Sequence, residues 1–179
     1  AEFGVMGNDA IRCDGITQAA LTDIADVHGP VGSVNVLVPV ASSQTSISSE
    51  AIHYIYRYGQ ESGVYPWNQG SVPEHLIRRN NSSFVKLFLS IASVLPTTFN
   101  FLGTDAQTNQ NTVALLQAAP NPEYAIGFAS GDVADENRDV VRTLAYQHTG
   151  QTHAYWPDSD VNSFDKANVR NGQYFLWAP

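Results

Sequence analysis

The seven residues Val34-Asn35-Val36-Leu37-Val38-Pro39-Val40 constrain this chain more than any other stretch. The run is rich in valine and barely alternates with polar residues, so it reads as a strand buried on both faces. A strand covered on both faces needs helices or further strands to cover it, and the next residues supply a helix. Ser48 and Ser49 offer an N-cap to a helix near 50–58, and Gly59 stands at its C′ position as the stop. Ile52, Ile55 and Tyr56 form its core face.

The same alternation continues downstream. A loop with Gly63, Pro66, Trp67 and Gly70 leads into a short strand, His75-Leu76-Ile77-Arg78. Phe84, Leu87, Phe88, Ile91 and Leu95 then recur at helical spacing, with Ser82 or Ser83 placed to cap that helix. A helix over 110–119 ends at Pro120 and Pro122. Strands are expected over 124–129 and 140–146, the second entered from an acidic loop at 132–139. The last segment, 151–179, is irregular and aromatic, and Trp156, Tyr174 and Trp177 read as packing between lobes rather than as a sugar platform. Strands alternating with helices predict an α/β unit, a mixed sheet flanked by helices. At 179 residues it is one domain or one lobe of something larger.

Composition removes several function classes. The chain carries 9 basic and 17 acidic side chains, a formal charge of −8, which argues against binding a nucleic-acid backbone through clustered cations. Its lysines are Lys86 and Lys166, too few for a polybasic membrane patch. The single cysteine, Cys13, excludes an internal disulfide framework and a Cys-based zinc site, and reads as a small buried hydrophobe. The longest apolar run, near 87–95, is interrupted by Ser90 and Ser93 and is too short to span a bilayer. Charged residues are 15% of the chain, and the polar remainder fits a secreted bacterial protein. The opening Ala1-Glu2-Phe3 carries no signal peptide and reads as the middle of a longer chain.

Three motifs fail on inspection. Asp158-Ser159-Asp160-Val161-Asn162 matches the first oxygen positions of a calcium loop. Ser163 replaces the required glycine, however, and Val169 stands where the bidentate glutamate belongs, so the run reads as a solvated turn. His148 and His153 are spaced wrongly for zinc. In Gly127-Phe128-Ala129-Ser130-Gly131 the serine comes one place late for a nucleophile elbow. No enzyme, no metal and no cofactor is expected.

The chemistry concentrates in Leu76-Ile77-Arg78-Arg79-Asn80-Asn81-Ser82-Ser83-Phe84-Val85-Lys86-Leu87-Phe88. A strand delivers two arginines, small polar residues turn, and a helix starts at the serines. Free N–H groups at a helix start, with hydroxyls beside them and an arginine at the strand end, suit an oxyanion. The same residues also describe an ordinary capped helix with surface arginines.

The wider pattern resembles the phosphate-binding proteins of bacterial ABC uptake systems, in the type II periplasmic solute-binding superfamily. Arg78, Ser82 and Phe88 match that family's R-x-x-G-S-G-T motif and the Phe beyond it. Ser48 to Asn68 is similar to its segment of pattern s-x-x-x-l-x-x-I-F-x-G ending in Trp. Asn111 to Phe128 is similar to the segment ending in I-G-Y, and Arg170 to Trp177 to the late return strand. Gly7-Asn8-Asp9-Ala10 resembles the early S-D-A turn. The resemblance implies one lobe of a two-lobe Venus-flytrap fold, periplasmic or extracellular, that captures phosphate or a related oxyanion for the membrane subunits of an ABC importer. Arg78 would supply the charged contact, Ser82 and Ser83 hydroxyls and N–H groups, and Asp9 the acceptor for a protonated oxyanion. It also implies a division into a first-lobe remnant and hinge-crossing segment (1–40), a central lobe (41–150) and a return segment (151–179). Asn81 and Ser83 replace the motif glycines and Phe84 the motif threonine. These departures leave a second reading, a receptor-like lobe that has lost phosphate binding and serves a structural or other-ligand role.

Overall fold

A computed structural model of the chain describes residues 32–71, 76–77 and 102–174, the pair 76–77 as backbone only. The expected strand is β1, Val34–Pro39, and every residue in it is buried. It is the centre of a three-stranded antiparallel sheet, between β5 (Gly127–Ser130) and β6 (Val141–Thr143). Val34 lies opposite Ser130 and Leu37 opposite Gly127 on one side; on the other, Val38 lies opposite Arg142.

The period of two divides β1 between two cores. Val34, Val36 and Val38 face a cluster with Ile47, Ile52, Ile55, Tyr56, Trp67, Phe128, Tyr146 and Tyr174. Leu37 faces the opposite cluster, with Val113, Leu116, Ala125, Ala129, Ala134 and Val141. Asn35 is wholly buried on that second side, yet it is satisfied: it accepts from Ser33 Oγ at 2.8 Å and donates to Thr143 Oγ1 at 3.2 Å.

Helix α1, Ser49–Tyr58, continues from β2 (Ser46–Ser48) without a break. Its cap is Ser48, which accepts from the Ala51 N–H at 3.2 Å, and Gly59 closes it with φ 55°. The predicted face is the observed one: Ile52, Ile55 and Tyr56 are buried, each side chain contributing about 1.5–3 kcal/mol by removal from water. Tyr56 meets Phe128 edge-on, with ring centroids 6.1 Å apart. A 3₁₀ turn, Gly59–Ser62, leads to Trp67, which is 3% exposed and part of the first core.

The remaining elements revise several expectations. Strand β3 is Leu76–Ile77 and pairs in parallel with β4, Thr104–Asp105. Helix α2 is Asn109–Gln117, one position ahead of its expected start. Strand β5 begins only at Gly127, since Tyr124 belongs to a turn. The acidic stretch after it, expected as loop, opens with helix α3, Gly131–Glu136. The single strand expected over 140–146 is two: β6 joins β1, and β7 (Ala145–Gln147) pairs in parallel with β2. Leu144, wholly buried, is the hinge between them and donates its N–H to Val36 O at 2.9 Å. Among the described residues the architecture is therefore mixed α/β, with three small sheets flanked by helices in place of the one mixed sheet expected. Residues 151–174 are largely irregular, with a short helix α4 (Ala167–Arg170), and Tyr174 enters the first core against Tyr146.

Candidate functional site

Arg78, Ser82, Ser83 and Asp9 lie outside the described residues, as does the helix expected from Phe84. The described residues do define the strand edge next to Arg78. Leu76 is paired with Thr104 and Ile77 with Asp105, in parallel, so β3 and β4 end at the same side of their sheet. In open α/β folds, ligands sit beyond the carboxyl ends of parallel strands.

The segment leaving β4 at that edge is polar and well ordered by its own bonds. Asp105 Oδ1 accepts from the Gln107 N–H at 2.9 Å, in a turn that takes Gln107 to φ 61°. Thr108 then caps α2, accepting from the Asn111 N–H at 3.1 Å. Asn109 Nδ2 donates to Ser130 Oγ at 2.7 Å, which ties the start of α2 to the end of β5. The first turn of α2 contains no acidic residue, so the positive end of its dipole is not neutralised from within. In the sequence, Asp105, Thr108 and Asn109 read only as part of a polar stretch. The signal that could have found them is Thr108, standing one residue ahead of a helical period.

The other parallel pair makes a contrasting edge. Strands β2 and β7 end at Ser48 and Gln147, where α1 begins. Ser49 Oγ and Thr149 Oγ1 are 2.9 Å apart there. Glu50, in the first turn of α1, already occupies the positive end of that helix. Its carboxyl is held below the usual range by a backbone hydrogen bond, against the opposing effect of burial, with further help from the Ser48 and Ser49 hydroxyls and His148. An anion would meet a resident carboxylate here. The edge beside β3 and β4 carries a carboxylate too, Asp105, but it stands at the strand end, where it accepts from the Gln107 N–H, rather than in the first turn of a helix.

The calcium-like run is an exposed turn over 159–162, as expected, but not at Asp158. Asp160 is exposed and caps its own turn, accepting from Asn162 N at 2.8 Å and Ser163 N at 3.1 Å. Asp158, by contrast, is 2% exposed. It accepts from Arg138 Nη2 at 2.7 Å and from Lys166 N and Nζ at 2.7 and 2.8 Å. Asp135 binds the same two cations, each at 2.6 Å. Two carboxylates and two cations thus close a neutral square that fastens α3 to the 158–166 loop. Burial weakens the Arg138 proton's hold, but hydrogen bonds to Asp135 and Asp158 outweigh it and raise the guanidinium further. A carboxylate already shared by two cations is no calcium ligand. Ser130, the serine of the near-elbow, has its hydroxyl engaged by Asn109 rather than by an imidazole.

No helix among the described residues is long and apolar enough to cross a membrane. No protein-family model matches the sequence, and no curated protein matches it. Among solved structures the chain is similar to a possible phosphate binding protein from Planctomyces limnophilus DSM 3776. The TM-score is 0.60 at 11% identity, over 84% of this chain and 52% of that one. The chain thus spans about half the length of that protein, and at this identity what the two share is the fold.

Proposed function

We propose that this chain is a receptor lobe of the solute-binding type, one half of a Venus flytrap, that captures an oxyanion outside the cytoplasm for an ABC importer. Phosphate is the first candidate. Residues 41–150 form most of the lobe, the 1–40 segment supplies its central strand β1, and the 151–179 segment packs against it through Tyr174. Arg78 provides the charged contact, Ser82 and Ser83 provide hydroxyl and N–H donors, and Asp9 accepts the proton of a protonated oxyanion. The ligand is held and released, and no bond is made or broken.

The observation that carries this reading is the structural likeness to a protein described as a possible phosphate binder, extending over 84% of this chain. Local chemistry supports it. The strand that runs into Arg78 ends beside Asp105 at a parallel edge, the position where an open α/β fold receives a ligand. An acceptor at Asp9 facing the ligand would favour a protonated phosphate over sulfate, because facing acceptors left unpaired in a closed site cost about 1–3 kcal/mol.

The test is thermal stabilisation and calorimetric titration with phosphate, sulfate and molybdate. A ligand at about 100 times its Kd adds about 2.7 kcal/mol of stability. The expected result is stabilisation by phosphate that disappears in Arg78→Ala. Absence of stabilisation by any of the three anions in a chain carrying both lobes would overturn the proposal in favour of a lobe that has lost binding.

A further inference from the structure

We infer that the pocket between β6 and the 156–164 loop is a binding site for a small monocarboxylate with an apolar, aromatic body. The pocket is a cavity of about 400 Å³, within the usual range for small-molecule sites. Its apolar walls include Val141, Trp156, Pro157 and Phe164, and Arg142 and Thr143 contribute polar groups from β6.

The charges around it are unequal in one respect. Arg138 and Lys166 are both balanced by Asp135 and Asp158. Arg142 has no carboxylate partner among the described residues. Its Nη2 donates to the Ser42 carbonyl, and its Nε is buried without an acceptor. A guanidinium desolvated on one edge and bonded directly only to a carbonyl keeps hydrogen-bonding capacity, Asp160 on the same pocket lining being no direct partner, and the cavity is where an anion can approach its remaining edge. Because Ser42 pins the group, little side-chain freedom is lost when a ligand arrives.

The chemistry of the walls selects the ligand further. Phe164 is exposed, yet its ring is stacked on the guanidinium of Arg138, another residue of the pocket lining, 3.7 Å from the ring centroid, which limits its freedom to move. Thr143 Oγ1 accepts from Asn35, which leaves its own hydrogen free to donate. Asp160 also lines the pocket, and its negative charge opposes a dianion. One negative charge on an apolar body fits this set, whereas a compact, doubly charged oxyanion does not.

The experiment titrates the full chain with 3-phenylpropionate and with its neutral amide, monitored by calorimetry and by tryptophan fluorescence. The acid is expected to saturate below about 10 mM and to bind about tenfold or more tighter than the amide. Arg142→Gln removes the charge. Val161→Glu, at a half-exposed position on the pocket wall away from β6, adds a repelling one, so a folding defect in the first leaves the second to decide. Both variants are expected to weaken binding of the acid about tenfold or more. Failure of the parent chain to bind the acid saturably, equal affinity for acid and amide, or unchanged binding in either folded variant would overturn the inference. Phosphate binding at the Arg78 edge is unaffected in any of these outcomes.

Discussion

Asp158→Asn is the sharpest test of how the irregular half of this protein is held. The native carboxylate accepts three hydrogen bonds, one from Arg138 Nη2 and two from Lys166, in a position 2% exposed. Asparagine keeps the shape but offers one acceptor oxygen, and its amide N–H₂ then faces a cation. Losing one charge-assisted bond costs about 1.5–3 kcal/mol, and stripping a buried ion cluster of one partner about 3–5 kcal/mol. Lys166 and Arg138 are both partly exposed and Asp135 still engages them, which places the expected loss at the lower end, about 2–4 kcal/mol. For a domain of this size that lowers Tm on the order of 10 °C. The assay is urea and thermal unfolding, with Asp160→Asn as the comparison. An amide oxygen serves that turn as well as a carboxylate does, so little change is expected there, within about 0.5 kcal/mol. A double-mutant cycle with Arg138→Gln should give a coupling above about 1 kcal/mol. Additivity within about 0.5 kcal/mol, or the same midpoint for Asp158→Asn and the parent, would refute the reasoning.

Two further outcomes are expected. Gly131→Ala places a methyl 2.3 Å from Ser33 Oγ, a buried hydroxyl that donates to Asn35, so the pair must separate at a loss of about 1–3 kcal/mol; an unchanged urea midpoint would contradict this. Asp165 is held well below the ordinary aspartate range by hydrogen bonds from Ser159, side chain first and then backbone, and from the Ala167 N–H. A depressed folded-state value means stability that is present above the unfolded pKa, about 3.9, and is lost as pH falls below it. Asp165→Asn should therefore flatten the acid side of the Tm–pH curve between about pH 4 and pH 2, and curves of equal slope for variant and parent would count against it.

Strand β1 and helix α1 are legible in the sequence because each is a local pattern with its own punctuation. A run of valines has one sensible environment, and Ser48 and Gly59 mark a helix whose apolar period is unambiguous. The candidate oxyanion site is legible only as a pattern of residue types: Arg78, Ser82 and Ser83 stand in a row, and Asp9 is far from them in the chain. The edge beside Asp105 is not legible at all, because parallel pairing between residues 77 and 105 leaves no trace in either segment alone.

The sequence by itself determined which stretches are strand and helix over much of the chain, the burial of β1 on both faces, and the acidic, lysine-poor composition. Only the tertiary structure decided that 140–146 breaks at Leu144 into two sheets, that 131–136 is helical, and that Asp158 is buried while Asp160 is not. The physical reason is the same in each case. Periodicity reports whether a face is apolar, but the partner that covers it, Val36 for Leu144 or Arg138 and Lys166 for Asp158, is chosen by the packing of distant segments.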